Sequence, residues 1–596
     1  MHAAAWNIKL RKGKNIIFEI YYEEQLNMSD YLSEYKRWLE LGSPDECREL
    51  GKLTQNEIKE RFYTELEFGT AGMRGIIRAG TNGMNERSVA RATLGLAQYI
   101  KACGPDCAQR GVVISYDSRF KSAEFAALTA RVLAEAGVKA ILYDSLRPVP
   151  LLSFGVRYFK AFAGVMITAS HNPKEYNGYK VYGEDGAQLA PEAAAKVLSR
   201  IEGLDYFNIP CADMEKAQAE GIIKMAGEEL DEAYLKAILP LADMNIISRQ
   251  AEKLKFIYTP LHGSGLSSVK SMFNALGFKN MRLVPEQCAP DGSFPTVSTP
   301  NPENADALSM GISLAKETGA ELVIGTDPDC DRMGAAVRSS NGEYIPLTGN
   351  QLGCLMLEYR LRSLKSRGLL PQNGAVIKTI VSTELARAIA EDYNVSLVEV
   401  LTGFKFIGEK IKEYESTNEH TFIFGFEESF GYLEGTHARD KDAVVACMLL
   451  AETACDYASR GMSLLDGLEA IYKKYGSYAE HTLSFTFEGI EGLEQIKGIM
   501  NRLTQAPPEY IGGFKVLALR DYNRSLRLIN GREEKILLPK SNVLYCELEN
   551  NCWFCARPSG TEPKLKLYLG ARGSDEAGCQ AAAQALIKSA RELIGL

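Results

Sequence analysis

Short apolar runs and amphipathic segments alternate along the first third of the chain. Runs such as GVVISYD (111–117) and GVMITAS (164–170) are compact and rich in β-branched residues, which is typical of buried strands. Between them, SAEFAALTARVLAEAG (122–137) carries apolar residues at helical spacing. This alternation of buried strands and amphipathic helices predicts an α/β layered domain.

The same alternation starts twice more along the chain. LKFIYTPLHGSG (254–265) is followed by LSSVKSMFNALG (266–277), and GAVIKTIVST (374–383) is followed by ELARAIAEDYN (384–394). These repeats predict three similar α/β layered domains. From about residue 480 the pattern becomes α+β and ends in an Ala-rich helix, which indicates a smaller fourth domain built differently.

Pro- and Gly-containing stretches suggest where the domains divide. The predicted domains of this α/β chain span residues 1–240, 241–345, 346–472 and 473–596. The first of them begins with an extension, because MSDYLSEYKRWLE, starting at Met28, is typical of a helix capped by Ser29 or Asp30. We expect residues 1–27 to be ill-ordered.

The composition limits the classes of function. Of 596 residues, 46% are hydrophobic and 24% charged, which is ordinary for a globular protein with several cores. A net charge of −8 is mild for this length and argues against a nucleic-acid or anionic-membrane partner. We expect no membrane span, because no segment is long and apolar enough.

The cysteines favour a reducing compartment. There are 13, an odd number without a regular framework, so we expect free thiols and a cytoplasmic protein. Cys552 and Cys555 form a C-x-x-C motif that lacks a second pair. We assign both to a strand rather than to zinc or redox chemistry.

The stretch TASHNP places a serine where a buried strand ends. Ser170 is followed directly by His171, Asn172 and Pro173. The G-x-S-x-G elbow of hydrolases is absent at this position. On its own, a serine that ends a strand is by default a turn or cap residue, and a nucleophile is the alternative.

Three aspartates at alternate positions follow another apolar strand pattern, in VIGTDPDCDRMG. Asp327, Asp329 and Asp331 would repel one another unless a cation lay between them. Mg²⁺ prefers hard oxygen ligands of this kind. An EF-hand is excluded, because Arg332 and Arg338 stand where that loop needs Gly and Glu. The alternative is an Asp-rich solvated turn.

Near the C-terminus, ARPSGTEP offers donors for an anion. Arg557 supplies a guanidinium, and Ser559, Gly560 and Thr561 supply hydroxyls and backbone N–H groups. These groups could cradle a phosphate, although the segment is not a Walker A loop and could be only a turn.

The segment GFEESFGYLEGTHARDKD follows an apolar strand pattern and is rich in polar side chains. Glu427 and Ser429 could hold sugar hydroxyls, while Arg439 and Lys441 could meet a phosphate. A solvated charged loop is the alternative. Upstream, FGTAGMRG is rich in glycine and carries Arg74, which alone is weak evidence for a site.

Together these segments resemble the α-D-phosphohexomutase family, enzymes that interconvert sugar 1-phosphates and 6-phosphates. The resemblance runs from about residue 60 to the C-terminus and rests on the order of four motifs, TASHNP, DPDCDR, GFEES and RPSGTEP. It is strongest for the branch that contains phosphoglucomutases and phosphopentomutases. It implies four domains around a central cleft, with the fourth as a mobile lid.

The resemblance also implies roles for individual residues. The implied ligands of one Mg²⁺ per chain are Ser170, as a phosphoserine, with Asp327, Asp329 and Asp331. Pro328 and Cys330 depart from the commoner D-G-D-x-D pattern, and we expect the metal still to bind. The implied substrate-binding residues are Arg332, Gly403, Lys405, Glu427, Ser429, Lys441, Arg557, Ser559, Gly560 and Thr561.

A general base must take the proton of the attacking sugar hydroxyl. Lys180, at the end of EYNGYK, matches the family position for that role, and His171 is the second candidate. Arg74, Arg332 and Lys180 are candidates to offset the negative charge of the metal site. The choice of base stays open at the level of sequence.

The implied activity is an intramolecular phosphotransfer of the isomerase class. Glucose 1-phosphate and glucose 6-phosphate would interconvert through phosphoserine and a bound glucose 1,6-bisphosphate, the activator and intermediate. Phosphomannomutase, phosphopentomutase and glucose-1,6-bisphosphate synthase are alternatives, and a non-catalytic sugar-phosphate-binding protein is a remote one. The expected partners are small sugar phosphates, without nucleic acid or membrane, and the expected assembly is a monomer or small homo-oligomer.

Overall fold

The computed structural model describes residues 31–69, 72–487, 489–559 and 564–595. Within them the chain forms two compact units. The first holds the chain up to Leu230 together with Asp291–Thr299, and the second holds the remainder. The predicted extension 1–27 and the predicted cap at Ser29 or Asp30 lie outside the described residues.

The first unit is built on a six-stranded mixed sheet in the order β1-β5-β4-β2-β3-β6. Its strands are β1 (Met73–Ile76), β2 (Val112–Tyr116), β3 (Ala140–Tyr143), β4 (Ala163–Ile167), β5 (Tyr176–Gly183) and β6 (Ile223–Ala226). Strands β4, β2, β3 and β6 run parallel, and β5 and β1 form an antiparallel edge. Strands β2 and β4 are buried at every position except Tyr116, as expected for parallel strands inside an α/β layered fold.

The helices of this part of the chain agree with the predicted pattern. They are α1 (31–41), α2 (Pro44–Leu50), α3 (Gln55–Phe62), α4 (Glu86–Cys103), α5 (Pro105–Arg110), α6 (Ser122–Glu135), α7 (Val149–Tyr158), α8 (Pro191–Ile201), α9 (Met214–Ala219) and α10 (Glu228–Ile238). The segment predicted as helical at 122–137 is α6. The helix predicted from Met28 onward is observed over its described part, 31–41.

The second sheet has five strands in the order β11-β10-β9-β7-β8. These are β7 (Phe256–Thr259), β8 (Met281–Leu283), β9 (Leu322–Thr326), β10 (Met333–Arg338) and β11 (Tyr344–Leu347). Its helices are α11 (Met244–Gln250), α12 (Leu266–Ala275), α13 (Pro285–Cys288) and α14 (Ser309–Thr318). Strands β8, β7 and β9 are parallel, and β10 and β11 return antiparallel.

The third sheet has four strands in the order β13-β12-β14-β15, of which only β15 is antiparallel to its neighbour. They are β12 (Gly374–Thr379), β13 (Ser396–Val400), β14 (Thr421–Glu427) and β15 (Gly431–Glu434). Its helices are α15 (Gly349–Ser366), α16 (Leu385–Asp392), α17 (Lys405–Thr417), α18 (Ala443–Ser459) and α19 (Leu464–Tyr475). Helix α18 is apolar on nearly all sides and is buried along most of its length.

The fourth sheet has eight strands, all paired antiparallel, and two helices pack against it. The strands are β16 (Ser477–Thr486), β17 (Tyr510–Ile511), β18 (Phe514–Asp521), β19 (Leu526–Ile529), β20 (Arg532–Lys535), β21 (Leu544–Leu548), β22 (Trp553–Pro558) and β23 (Lys564–Gly573). The helices are α20 (Gly489–Gln505) and α21 (Glu576–Ile594). Three α/β layers followed by a β-rich C-terminal part confirm the predicted fold class.

One connection recurs in the first three sheets. A parallel strand turns back into an antiparallel neighbour at β4–β5, β9–β10 and β14–β15. Each turn contains a non-glycine residue in the left-handed region, with φ of 53° at Ser170, 53° at Cys330 and 63° at Phe430. The three motifs, predicted to carry the phosphoserine, to bind the metal and to bind the sugar, therefore occupy equivalent places in three similar folds.

The cysteines are free, as predicted, and Cys555 lies on the buried strand β22 with Cys552 just before it. Among the described residues, no helix combines the length and apolar character that a membrane span needs.

Candidate active site

The serine loop connects β4 to β5 in the first unit. Strand register pairs Met166 with Lys180 and Ile167 with Tyr179, so the chain leaves and re-enters the sheet at one edge. Ser170 lies at the turn with 4% of its surface exposed. Its N–H donates to Thr168 Oγ1 at 2.8 Å, and its Oγ lies 3.2 Å from His171 Nδ1.

Two cationic candidates lie on strands beside this loop. Arg74 is on β1, paired with Gly178 of β5, and it donates to Asn172 Oδ1 at 3.2 Å. Lys180 is on β5 and is 5% exposed. The structure thus brings Ser170, Arg74 and Lys180 to one edge of the first sheet.

A buried arginine that the sequence interpretation did not single out organises the serine loop. Arg119 is 3% exposed and donates to four backbone carbonyls of the loop. The acceptors are Ser170 O at 2.5 Å, Pro173 O at 2.8 Å, Tyr176 O at 3.1 Å and Asn172 O. One guanidinium therefore ties together the carbonyls of a turn that has no regular secondary structure.

Asp117, at the end of β2, holds this arginine and the serine loop together. Its Oδ2 lies 3.4 Å from Arg119 Nε and accepts from Thr168 Oγ1 at 2.6 Å. Its Oδ1 accepts from Arg119 N at 3.0 Å and from Ser122 Oγ at 2.7 Å. The sequence signal that could have identified this pair is an Asp-x-Arg motif directly after a buried strand, at the end of the sheet where the loops lie close together.

The aspartate loop connects β9 to β10 in the second unit. Asp327, Asp329 and Asp331 are all buried, and one carboxylate oxygen from each lies within 4.8 Å of the others. Burial, and then the other two carboxylates, raises the pKa of Asp327 well above its usual range. A set of three converging carboxylate oxygens fits a hard divalent cation such as Mg²⁺.

The backbone of this loop is fixed from two sides. Asp327 Oδ1 accepts from the N–H groups of Asp331 at 3.0 Å and Arg332 at 2.9 Å. Ser264 donates to Pro328 O through both its N–H and its Oγ, each at 2.8 Å. A Cβ at Gly263 would lie 2.4 Å from Pro328 Cα, so this position needs glycine.

The glutamate loop connects β14 to β15. Glu427 is buried, its Oε1 accepts from Gly403 N–H at 2.9 Å, and burial raises its pKa to about 7. Glu428 Oε2 accepts from Thr379 Oγ1 at 3.0 Å and from Ser382 Oγ at 3.3 Å. Gly403 and Glu427 are both predicted substrate-binding residues, and they lie in direct contact.

Within the second unit, the aspartate loop meets the start of β15 and the segment after β15 that carries Lys441. Lys441 Nζ lies 3.2 Å from Asp331 Oδ2 and 3.1 Å from Asp440 Oδ1. Although burial acts to lower it, these two carboxylates hold the pKa of Lys441 above its usual range. Arg332 pairs with Glu303 and forms a β-bridge with residue 431.

A cavity of about 240 Å³ opens beside Glu428 in the second unit. Its wall includes Glu303, Phe430, Glu480, Trp553 and Tyr568. Residues from both the third and the fourth sheet therefore line one cavity next to the glutamate loop.

The predicted phosphate-binding segment is described in part. Arg557 is on β22, and Ser559 N–H donates to Lys564 O at 2.7 Å. Burial lowers the pKa of Lys405, at the start of α17, and the Arg557 guanidinium lowers it further. The charges of Lys405 and Arg557 therefore interact. Gly560 and Thr561 lie outside the described residues.

The guanidinium of one candidate, Arg439, is engaged by neighbouring groups of the protein. Arg439 is buried, pairs with Glu415 and donates to Thr436 O at 2.5 Å and Ala438 O at 3.1 Å. Its guanidinium is therefore committed to the protein itself. Ser170 belongs to the first unit and the aspartate loop to the second.

Models of one family match three successive parts of the chain. Phosphoglucomutase/phosphomannomutase α/β/α domain I matches residues 65–207, domain II matches 232–342 and domain III matches 348–475. These ranges carry, in order, the serine, aspartate and glutamate loops.

Curated relatives cover most of the chain. It is 40% identical over 521 residues to a phosphoglucomutase of Staphylococcus epidermidis, and the matched region covers 87% of this chain and 92% of that protein. It is 38% identical over 523 residues to the phosphoglucomutase of Staphylococcus aureus strain USA300, spanning 86% of this chain and 91% of that protein.

Solved structures share the fold. A phosphoglucomutase/phosphomannomutase family protein from Burkholderia thailandensis, 17% identical, has a TM-score of 0.61 and aligns over 89% of this chain and 97% of that one. The exocytosis-sensitive phosphoprotein parafusin from Paramecium, 15% identical, has a TM-score of 0.66 over 89% and 95%. On the three domain matches and the 40% identity, this chain belongs to the phosphoglucomutase/phosphomannomutase family.

Proposed function

We propose that this protein is a phosphoglucomutase that interconverts glucose 1-phosphate and glucose 6-phosphate through a phosphoserine at Ser170. The observation that carries the proposal is the equivalence of three loops, which present a serine hydroxyl, three carboxylates and a buried glutamate at one position of three similar folds. The 40% identity to a phosphoglucomutase supports glucose phosphate as the substrate.

In the first half of the cycle, the bond between phosphorus and Ser170 Oγ breaks while a bond from phosphorus to the sugar hydroxyl oxygen forms. The proton of that hydroxyl passes to a base, for which Lys180 and His171 are the candidates, and the departing Ser170 Oγ takes up a proton to become the free hydroxyl. His171 Nδ1 lies 3.2 Å from Ser170 Oγ. The product of this step is a bound glucose 1,6-bisphosphate, and the second half reverses the transfer after the intermediate has turned around.

We infer that Asp327, Asp329 and Asp331, together with the phosphate on Ser170, hold one Mg²⁺. When bound, this ion polarises the phosphoryl group and offsets part of its charge. The three carboxylates and a phosphoserine of about −2 leave a net negative site even with the ion. Lys441, 3.2 Å from Asp331, and Arg332 supply compensating positive charge.

The sugar and its distal phosphate require separate recognition. We assign Glu427, Ser429 and Gly403 to sugar hydroxyls that both orientations of the intermediate present. We assign Lys405 and Arg557 to the distal phosphate, because two cations whose charges interact favour binding of a dianion. Ser559, Gly560 and Thr561 complete this phosphate site.

We retain the domain boundaries predicted from sequence and a cytoplasmic location as parts of this proposal. The four sheets support domains ending near residues 240, 345, 472 and 596. Free cysteines throughout the described chain support a reducing compartment. A monomer or small homo-oligomer remains the expected assembly.

The test is a coupled assay with glucose 1-phosphate, Mg²⁺ and a trace of glucose 1,6-bisphosphate. We expect turnover that EDTA abolishes, and a kcat/KM for glucose 1-phosphate above those for mannose 1-phosphate and ribose 1-phosphate. A higher kcat/KM for either of the other sugars would reassign the substrate. Release of inorganic phosphate without isomerisation would contradict the mutase itself.

A further inference from the structure

We propose that Arg119 is a positioning residue that sets the phosphoryl-accepting geometry of Ser170 from behind the serine loop. The inference rests on the proposed function, because it concerns how fast Ser170 gains and loses its phosphoryl group. In this role the buried arginine affects the reaction through the backbone of Ser170, without contacting the substrate.

The serine loop needs external support because its backbone is unusual. Ser170 has φ of 53°, a left-handed conformation that is unfavourable for a non-glycine residue. Such a residue keeps its conformation only when the surrounding contacts over-determine it. In the first unit those contacts come from the guanidinium of Arg119, which binds the carbonyl of Ser170 at 2.5 Å and three carbonyls after it.

These hydrogen bonds fix the orientation of the Ser170 backbone. Because the Ser170 carbonyl points to Arg119, and because its N–H points to Thr168 Oγ1 at 2.8 Å, both peptide groups flanking Ser170 are held. The remaining freedom of the residue is rotation about its own Cα–Cβ bond. Transfer of a phosphoryl group requires in-line placement of the reacting oxygens, so a fixed backbone at Ser170 favours the reactive geometry.

Asp117 links the two halves of this support. It pairs with Arg119 Nε at 3.4 Å and accepts from Thr168 Oγ1 at 2.6 Å, so the groups holding the carbonyl and the N–H of Ser170 share one carboxylate. Asp117 and Thr168 are 2% and 0% exposed, respectively. A shared, buried anchor makes the two constraints act together.

Arg119 is enclosed on its other side by a distant part of the sequence. Phe294, from Asp291–Thr299, places its ring centroid 5.0 Å from Arg119 Cζ, and it is 2% exposed. A Cβ at Gly292 would lie 2.5 Å from Phe120 N, which shows how closely this segment packs. The enclosed guanidinium is directed at the loop backbone, and this favours a positioning role over a catalytic one.

Lysine cannot reproduce this arrangement. Both terminal nitrogens of Arg119 donate to the loop carbonyls, and its Nε forms an ion pair with Asp117. The ammonium group of lysine has a single nitrogen and cannot present this planar fork of donors. The test is therefore Arg119→Lys, which keeps the charge and removes the fork. The control is Arg110→Lys, because Arg110 also donates to two carbonyls, Lys160 O at 2.9 Å and Ala161 O at 3.4 Å, away from the serine loop.

The measurement is the single-turnover rate of Ser170 phosphorylation by glucose 1,6-bisphosphate, followed by peptide mass spectrometry, alongside kcat, KM and the unfolding temperature. We expect Arg119→Lys to lower the phosphorylation rate and kcat about 10²-fold, with KM for glucose 1-phosphate and the unfolding temperature nearly unchanged. Arg110→Lys should match the wild type in all four.

Two results would overturn the inference. One is a wild-type phosphorylation rate in Arg119→Lys. The other is a loss of rate with an unfolding temperature lowered to the assay temperature, which would mean that Arg119 only maintains the fold.

If Arg119→Lys does not fold, Thr168→Val decides instead. It must slow phosphorylation of Ser170, and a wild-type rate would contradict the inference. Absence of mutase activity in the wild type would instead refute the proposed function.

Discussion

A left-handed residue lies at the turn of each of the three candidate loops, the serine, aspartate and glutamate loops, and each is a residue for which that conformation is costly. Ser170, Cys330 and Phe430 have φ between 53° and 63°. The support differs at each place, since a guanidinium holds the carbonyl of Ser170, whereas the N–H of Cys330 donates to Asp327 O at 2.9 Å. Strain held by surrounding groups is typical of sites that must keep one geometry through a reaction.

At the same scale, one substitution in the aspartate loop should weaken Mg²⁺ binding and yet stabilise the metal-free protein. Asp329→Asn removes one of three converging buried carboxylates. We expect the affinity for Mg²⁺, measured by calorimetry, to fall at least about 10-fold. In EDTA the same variant should unfold at a higher temperature than the wild type, because repulsion among the carboxylates is reduced.

The control for this prediction is Asp306→Asn, which changes an exposed aspartate in the second unit. It should leave both the affinity and the unfolding temperature unchanged. Equal Mg²⁺ affinity in Asp329→Asn and the wild type would mean that the three aspartates do not hold the ion.

Individual residues were the hardest to predict from sequence. Asp327, Asp329 and Asp331 are recognisable because three carboxylates in five residues repel one another unless a cation lies among them. Arg119 was missed because one arginine after a strand looks like many surface arginines. Its importance comes from the acceptors that the fold brings to it from 51 to 57 residues away.

At the scale of elements, the apolar strands were predictable and their antiparallel neighbours were less so. Strands such as β2, β4 and β12 are buried on both faces, and each contains a run of apolar residues. Edge strands such as β20, with sequence REEK, are exposed along their whole length and carry no hydrophobic signal. The sequence therefore indicated the buried central strands of each sheet but not all of the edge strands.

Strand β16 carries a titratable group whose burial gives a pH-dependent prediction. Burial raises the pKa of Glu480 to about 7, and Asn350 Nδ2 donates to its Oε2 at 3.3 Å. A carboxyl whose folded pKa exceeds its unfolded pKa loses stability as pH rises from about 4.5 through about 7. The wild type should therefore become less stable across this window.

Glu480→Gln removes the ionisation, so we expect the variant to be more stable than the wild type by about 2 kcal/mol at pH 8 and similar to it at pH 5. Denaturant unfolding at the two pH values measures this difference. Glu494→Gln, at an exposed ion pair with Lys497, serves as the control and should show no pH-dependent difference. A Glu480→Gln variant that loses stability at pH 8 would contradict the assignment.

At the scale of the whole molecule, the second unit joins its third and fourth sheets through charged groups. Arg520 on β18 lies 3.0 Å from Glu399 on β13 and 2.5 Å from Glu547 on β21. Although burial acts to raise it, Lys378, Arg520 and Arg387 hold the pKa of Glu399 below its usual range. The fourth sheet is thus attached to the third by a partly buried network.

Arg520→Ala should loosen this attachment. We expect hydrogen exchange in peptides of β21 and β22 to show an opening free energy lower by about 2 kcal/mol, because one partner of an enclosed ion pair is removed. Arg527→Ala is the matched control, since Arg527 also pairs with Glu547 but only within the fourth sheet. Its effect should be below about 1 kcal/mol. Equal effects of the two variants would argue against a special role for the Arg520–Glu399 pair.

The order of the four parts was predictable from sequence, whereas their assembly was not. The repeated strand and helix patterns gave three α/β layers and a different C-terminal part, and the domain boundaries stay a prediction. The segment Asp291–Thr299, which packs with the first unit although its sequence neighbours belong to the second, has no periodicity that would announce it. Long-range contacts such as Phe294 with Arg119 arise only in the folded chain.

The central claim is that Ser170 carries the transferred phosphoryl group. The most direct measurement compares Ser170→Ala with the wild type and with Ser199→Ala, an exposed serine, in glucose 1-phosphate turnover with Mg²⁺ and a trace of glucose 1,6-bisphosphate. We predict a loss of at least about 10³-fold for Ser170→Ala, no loss for Ser199→Ala, and phosphate on the wild-type Ser170 peptide by mass spectrometry. A Ser170→Ala enzyme that turns over at the wild-type rate would contradict the account.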